Sequence, residues 1–185
     1  VVGGSIAGAA AARALALAGR EVLLVEGRRA PNAQRLAGEM MHPRGAQALM
    51  RLGLLPEVRA RGASSIHGFA VWDDGADEAQ TLDYGRGGRL PHPDHGVSLH
   101  HHELVGTLLL GAASTDGVIA AQGRVVDVTQ DGERVTGVRV QQGDREHTVQ
   151  ADLVVAADGR HSKLRRAFGL YADLAQPSMS IGVAV

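Results

Sequence analysis

The chain has 185 residues, enough for a sizeable core, and a net charge of −1 with its 19 basic residues scattered, which gives no footprint for nucleic acid or an anionic membrane. It has no cysteine, which excludes disulfides, thiolate metal sites and cysteine nucleophiles, and only 3% aromatic residues, too few for a base-stacking surface. Arg13 interrupts the longest apolar run below the length of a membrane span, and no stretch reads as a signal peptide.

The chain begins Val1-Val2-Gly3-Gly4-Ser5-Ile6-Ala7-Gly8, an apolar run followed by a glycine-punctuated turn. Residues 6–19 are small and helix-favouring, with Gly19 as a C-terminal stop. Residues 21–25 read as a buried strand ending in Glu26. This is a strand–turn–helix–strand unit of the kind that binds a dinucleotide. The helix N-terminus offers unpaired N–H groups and its positive dipole end to a pyrophosphate, and an acid roughly 20 residues on meets a ribose hydroxyl. The second glycine of G-x-G-x-x-G is replaced by Ser5. A Gly-x-Ser-x-Gly nucleophile elbow is the competing reading, but its fifth position holds Ala7, and strands should precede it.

Residues 27–38 read as an extended loop, 44–54 as a helix, 56–61 as a short helix, and 65–72 and 80–84 as strands. A loop rich in Gly, Pro and His (85–97) precedes an expected helix over 98–113. Residues 118–121, 123–129, 134–140 and 146–150 read as an antiparallel meander turning at Asp131-Gly132 and Gly143-Asp144. Residues 153–157 (LVVAA) read as a buried strand reaching Asp158-Gly159, with Ser162 near the start of a further helix over 160–168. The histidines His92, His95, His100, His101 and His102 raise a metal reading, but adjacent helical residues point about 100° apart, so no metal site is expected. The missing initiator Met, the two-residue opening strand and the apolar ending 181–185 suggest a piece of a longer protein.

The glycine turn with Glu26, followed downstream by residues 152–165 (DLVVAADGRHSKLR), resembles the FAD-dependent monooxygenases of the para-hydroxybenzoate hydroxylase superfamily. Residues 35–45 (RLAGEMMHPRG), Leu52-Gly53-Leu54 and the pair His100-His101 are similar to its squalene epoxidase-like members. The resemblance implies an α/β fold: a Rossmann-like FAD-binding domain with a parallel sheet, an inserted antiparallel β-meander and the start of a mixed substrate-domain sheet. It implies domain segments 1–64 and 98–170 for FAD, with 65–97 and 171–185 beginning the substrate domain.

Carried over, Gly3, Ser5, Ile6, Ala7 and Gly8 hold the FAD pyrophosphate and Glu26 the adenosine ribose. Arg35 lies near the flavin or its phosphates, and His101 sits where relatives have a cofactor-touching Arg or Gln. Val126, or its neighbour Val125, faces the adenine through its backbone. Asp158 with Gly159 bridges the pyrophosphate and the NAD(P)H site, with Arg165 nearby. The implied activity is monooxygenation of a small organic substrate with O2 and NADH or NADPH, through a C4a-(hydro)peroxyflavin, with no catalytic side chain. A flavin reductase or dehydrogenase of the same superfamily, or a nucleotide-binding fragment without activity, are the alternatives. A cytoplasmic location is implied, with peripheral membrane contact left open. Glu103 replaces an Arg found beside the His pair in squalene epoxidases, and the family's later Gly-Asp motif is absent, Gly143-Asp144 being a decoy.

Overall fold

The computed structural model describes residues 1–27, 38–73, 75, 77–85 and 92–170. The chain divides into two compact units, residues 1–34 with 108–185 and residues 35–107. The division falls inside helix α4 (His101–Ala113).

In the first unit, helix α1 (Ile6–Leu17) follows the glycine turn. It buries Gly8, Ala9, Ala12 and Ala16, a face of small residues that lets the helix lie close to the sheet. Gly19 follows with φ 77°, the left-handed stop expected from its type. Strand β1 (Val22–Glu26) pairs in parallel with β7 (Val118–Gln122), Val22 opposite Val118 and Glu26 opposite Gln122. On β1's other side Val2 bridges both Val25 and Ala156 in parallel. Parallel neighbours joined through a helix are the arrangement of an α/β nucleotide-binding sheet.

The meander is β8 (Arg124–Asp131), β9 (Arg134–Gln142) and β10 (Arg145–Gln150). Its two hairpins close at Asp131↔Arg134 and Gln142↔Arg145, as the Asp-Gly and Gly-Asp dipeptides predict. Val138 and Val140 face inward, joining Val2, Val25 and Leu164 in the core of this unit. On the solvent side the Arg139 guanidinium bonds Asp127 at 2.7 Å and Glu146 at 2.9 Å, and it holds the Asp127 carboxyl below the usual carboxylate range.

Two expectations for this unit are corrected. Residues 118–122 belong to the parallel sheet and not to the meander. Residues 153–157 form only the single bridge at Ala156, with Val2 N–H donating to Val155 O and Ala157 N–H to Val2 O. Leu153 is 67% exposed, so the apolar run is not buried throughout.

The second unit holds a three-stranded antiparallel sheet, β2 (Gly38–Met41), β6 (Gly96–His100) and β3 (Ser64–Ile66), in the order β2-β6-β3. Helices α2 (Pro43–Arg51) and α3 (Leu55–Ala60) follow β2, and β4 (Gly68–Val71) pairs with β5 (Gln80–Asp83) as a separate ribbon. The helix expected over 98–113 therefore starts three residues late. Val97 and Leu99 alternate inward on a strand, and pairing with both β2 and β3 outweighs the helical preference of this stretch. The expected strand 65–72 is split between two sheets, and β2 begins at the last residue of the expected loop 27–38 and runs on where no element was expected.

Gly106 lies inside α4, and a Cβ there meets no described atom within 4 Å. Gly106→Ala is expected to raise stability by up to about 1 kcal/mol, the usual preference of a helix interior for alanine. The midpoint of chemical denaturation checks this, and a lowered midpoint contradicts it.

Candidate functional site: a glycine cradle against an Asp-Gly corner

The glycine turn is held from two sides. Gly3 has φ 101°, and its N–H donates to Val25 O at 2.8 Å. A Cβ on Gly3 would run into the carbonyl oxygen of Ala157, with the Asp158 Cα only 3.3 Å away. A Cβ on Gly8 would strike the Gly3 carbonyl oxygen and approach the Ala157 Cβ at 3.2 Å. Three backbone segments thus converge at separations only glycine permits. The structure brings the Asp158 corner against Gly3 and Gly8, although it is far from both in sequence.

Ser5 is the N-cap of α1, yet its side chain makes no capping bond. The first turn of the helix, Ile6 to Gly8, therefore relies on partners other than a cap for its N–H groups, the arrangement that receives phosphate oxygens.

Gly4, which the spacing argument passes over, proves to be part of the cradle. Its N–H donates to Glu26 Oε2 at 2.6 Å, and a Cβ there would press on the Glu26 Cβ at 3.0 Å and Leu109 Cδ1 at 3.2 Å. The signal was the doubled glycine. Glu26, the expected ribose ligand, also ties the loop to the end of β1. Glu26→Ala leaves the Gly4 N–H without that charge-assisted bond, a change worth about 1–3 kcal/mol. A lower melting temperature together with weaker FAD binding is expected. A variant that binds FAD as the parent does would show that Glu26 is not the ribose ligand, and an unchanged melting temperature would show that its tie to Gly4 adds no stability.

Beyond Glu26 lies a polar cavity of about 390 Å³, lined by Gly27, Arg124, Gln141 and Gly143 among others. Arg124 donates to Gln141 Oε1 at 3.0 Å. The β8–β9 ladder pairs Val125 with Val140 and Asp127 with Arg139, so Val126 is the extra residue of a β-bulge. A bulge leaves backbone groups outside the ladder, which suits Val126 for contact through its main chain.

Asp158 does two things. Its Oδ2 accepts from Lys163 N at 2.8 Å and, more weakly, from Leu164 N at 3.4 Å, the start of α5 (Lys163–Ala167). Ser162 Oγ accepts from Arg165 N at 2.9 Å at the same helix start, as its position in sequence suggests. Asp158 Oδ1 is buried and has no hydrogen-bond partner among the described residues. A buried carboxylate oxygen in that state calls for a donor. Beside it is a cavity of about 400 Å³ with apolar walls, Val128, Val154 and Phe168 among them, and with Gly159 and Arg165 at its polar edge. The Arg165 guanidinium donates to Arg160 O at 3.0 Å.

In the second unit, His101 is buried and its Nδ1 pairs with the Glu39 carboxylate. Arg35 lies outside the described residues. Among the described residues, no three His, Asp or Glu side chains converge as a metal site, and no helix is long and apolar enough to cross a membrane.

A parallel sheet, a glycine turn into a tightly packed helix, and an acid at the end of the next strand define a dinucleotide-binding α/β protein. A family profile described as an FAD binding domain matches residues 1–184, and the chain belongs to that family. It is similar to squalene monooxygenase of Mus musculus, 30% identical over 176 residues that cover 90% of this chain and 29% of that protein. Squalene epoxidase 4 of Arabidopsis thaliana is 35% identical over 170 residues, covering 90% and 32%. Among solved structures, PqsL of Pseudomonas aeruginosa in complex with 2-aminobenzoylacetate superposes with a TM-score of 0.78 at 25% identity, over 96% of this chain and 47% of that one. CmlS, a flavin-dependent halogenase, superposes with a TM-score of 0.77 at 28% identity, over 91% and 30%. The chain spans less than half the length of each of these proteins.

Proposed function

We propose that the chain is the FAD-binding front part of a flavoprotein monooxygenase that uses NADH or NADPH and O2 to hydroxylate or epoxidise an organic substrate. The observation that carries this is the glycine cradle closed by the Asp158 corner, where a buried carboxylate oxygen awaits a donor. Membership of the FAD binding domain family and likeness to squalene monooxygenases support the reading.

In this proposal Gly3, Ser5 and Gly8 leave room for the pyrophosphate, and the N–H groups of Ile6, Ala7 and Gly8 face it. Glu26 takes the ribose hydroxyl, and the cavity past it takes the adenine, with Val126 offering its backbone. Asp158 Oδ1 accepts from a hydroxyl or N–H. It does not meet a phosphate oxygen directly, because two acceptors repel. Gly159 gives the corner its sharp turn, and Arg165 supplies positive charge at the cavity edge. Arg35 and His101 stay in the proposal as cofactor contacts, on the resemblance alone. FAD, when bound, supplies the redox chemistry with O2, and the protein orients it and keeps water out. Segments 1–64 and 98–170 serve the cofactor in this reading, and 65–97 and 171–185 begin the substrate region. A cytoplasmic location, with peripheral membrane contact open, belongs to the same proposal.

The test is turnover of the protein in its native polypeptide with NADPH or NADH and isotopically labelled O2. Labelled oxygen in an organic product is expected. Nicotinamide-dependent reduction without oxygen incorporation would favour a reductase, and a halogenated product would place the protein with CmlS instead.

A further inference from the structure

Charge summed over the chain leaves no footprint for an anionic surface, but one short segment concentrates basic side chains in solvent. Residues 159–170 (GRHSKLRRAFGL) hold Arg160, Lys163, Arg165 and Arg166 and no acid. Within α5 only Leu164 is buried. Lys163 and Arg166 are exposed one helical turn apart and so share a side, with Arg160 exposed in the turn before the helix. The helix then closes on itself. Gly169, at φ 63°, donates its N–H to Arg166 O at 3.0 Å, and Leu170 N–H donates to Arg165 O at 3.1 Å. This closed turn fixes Phe168 and Leu170 directly after the basic residues and leaves them 36% and 64% exposed.

We propose that this surface is a peripheral contact for an anionic lipid bilayer, in which Arg160, Lys163 and Arg166 meet headgroup phosphates and carboxylates while Phe168 and Leu170 enter the boundary between headgroups and acyl chains. Basic side chains are drawn to such a surface, and apolar side chains beside them add burial that a purely ionic partner does not offer. The apolar pair decides the partner. A purely acidic peptide or a nucleic acid would match the cations and leave Phe168 and Leu170 in water, whereas a bilayer takes up both. Arg165 stands apart, because its guanidinium turns back to Arg160 O and it serves the cofactor cavity in the proposed function. With so few cations and apolar side chains the contact is reversible and salt-sensitive. It gives peripheral association a surface and is independent of FAD binding.

Sedimentation of the native polypeptide with vesicles tests this, using phosphatidylcholine alone and an equal mixture of phosphatidylcholine and phosphatidylserine. Binding to the mixed vesicles and not to phosphatidylcholine alone is expected. It should weaken as salt rises from about 0.1 M to about 1 M and the screening length contracts from about 10 Å to about 3 Å. The triple change Arg160→Gln, Lys163→Gln and Arg166→Gln should weaken binding to the mixed vesicles at least about tenfold. The double change Phe168→Ser and Leu170→Ser should weaken it as well, which a purely ionic contact would not show. None of these side chains belongs to the proposed cofactor site, so FAD uptake, read from visible absorbance, should be unchanged and reports correct folding. If the double variant fails to fold, the triple variant and the salt dependence still decide. Triple-variant binding equal to the parent's overturns the proposal, as does a parent that ignores the mixed vesicles, or a parent that binds poly-glutamate in their place. A protein that takes up FAD and ignores vesicles loses this contact alone and leaves the FAD reading standing.

Discussion

Gly8→Ala is expected to destabilise the protein and to cut FAD binding sharply, although alanine is ordinarily the better helix residue. Within a helix the exchange gains about 0.5–1 kcal/mol from reduced backbone entropy. Here the added carbon is aimed at the Gly3 carbonyl oxygen and the Ala157 side chain. Gly3 cannot simply retreat, because its N–H is bonded to Val25 O and its own Cα faces the Ala157 carbonyl. Overpacking of this kind costs about 1–3 kcal/mol, so the clash outweighs the propensity gain. The relaxation that remains is α1 moving away from the turn, which misaligns the N–H groups offered to the pyrophosphate. A shift worth about 1.4 kcal/mol is already a tenfold loss of affinity. Gly106→Ala makes the same chemical change in open space, so the pair should move stability in opposite directions. Calorimetry and flavin titration on both variants check this, and two variants of equal sign would refute the cradle.

The second large effect falls on Asp158, where two substitutions separate two roles. Asp158→Ala removes the acceptor for the Lys163 and Leu164 N–H groups, a loss typical of a helix cap at about 0.5–2 kcal/mol. It also removes the buried, unpartnered oxygen that the proposal assigns to a cofactor donor, and a hydrogen bond to a charged group contributes about 1.5–3 kcal/mol. FAD affinity should fall roughly ten- to hundredfold. Asp158→Asn keeps one acceptor oxygen for α5 but turns the unpartnered Oδ1 into an amide NH2, which donates and no longer accepts. Its stability without cofactor should fall less than that of Asp158→Ala, while its FAD affinity still drops. If Asp158→Asn binds FAD as tightly as the parent, Asp158 is a capping residue only.

Much of the first unit was legible because its signals are local. The alanine face of α1, the Gly19 stop and the two hairpin dipeptides each state their structure within a few residues. What escaped depends on partners distant in sequence. Residues 118–122 look like one more strand of the meander, and only their pairing with β1 assigns them to the parallel sheet. The β6 strand was hidden because its residues run without a Gly or Pro break into α4, and β2 carries no periodicity of its own. At the site, Gly3, Gly8 and Glu26 follow from spacing. The abutment of Asp158 on Gly3, the tie from Gly4 to Glu26 and the Glu39–His101 pair are products of folding.

The central claim is that the turn from Gly3 to Gly8, closed by Asp158, holds FAD. Titration of FAD into the nucleotide-free protein, followed by quenching of flavin fluorescence, tests it most directly. Saturable binding of one FAD per chain that Gly8→Ala and Asp158→Asn both weaken is the predicted result. A protein that takes up no FAD, or one that binds it equally well with the cradle altered, would contradict the account.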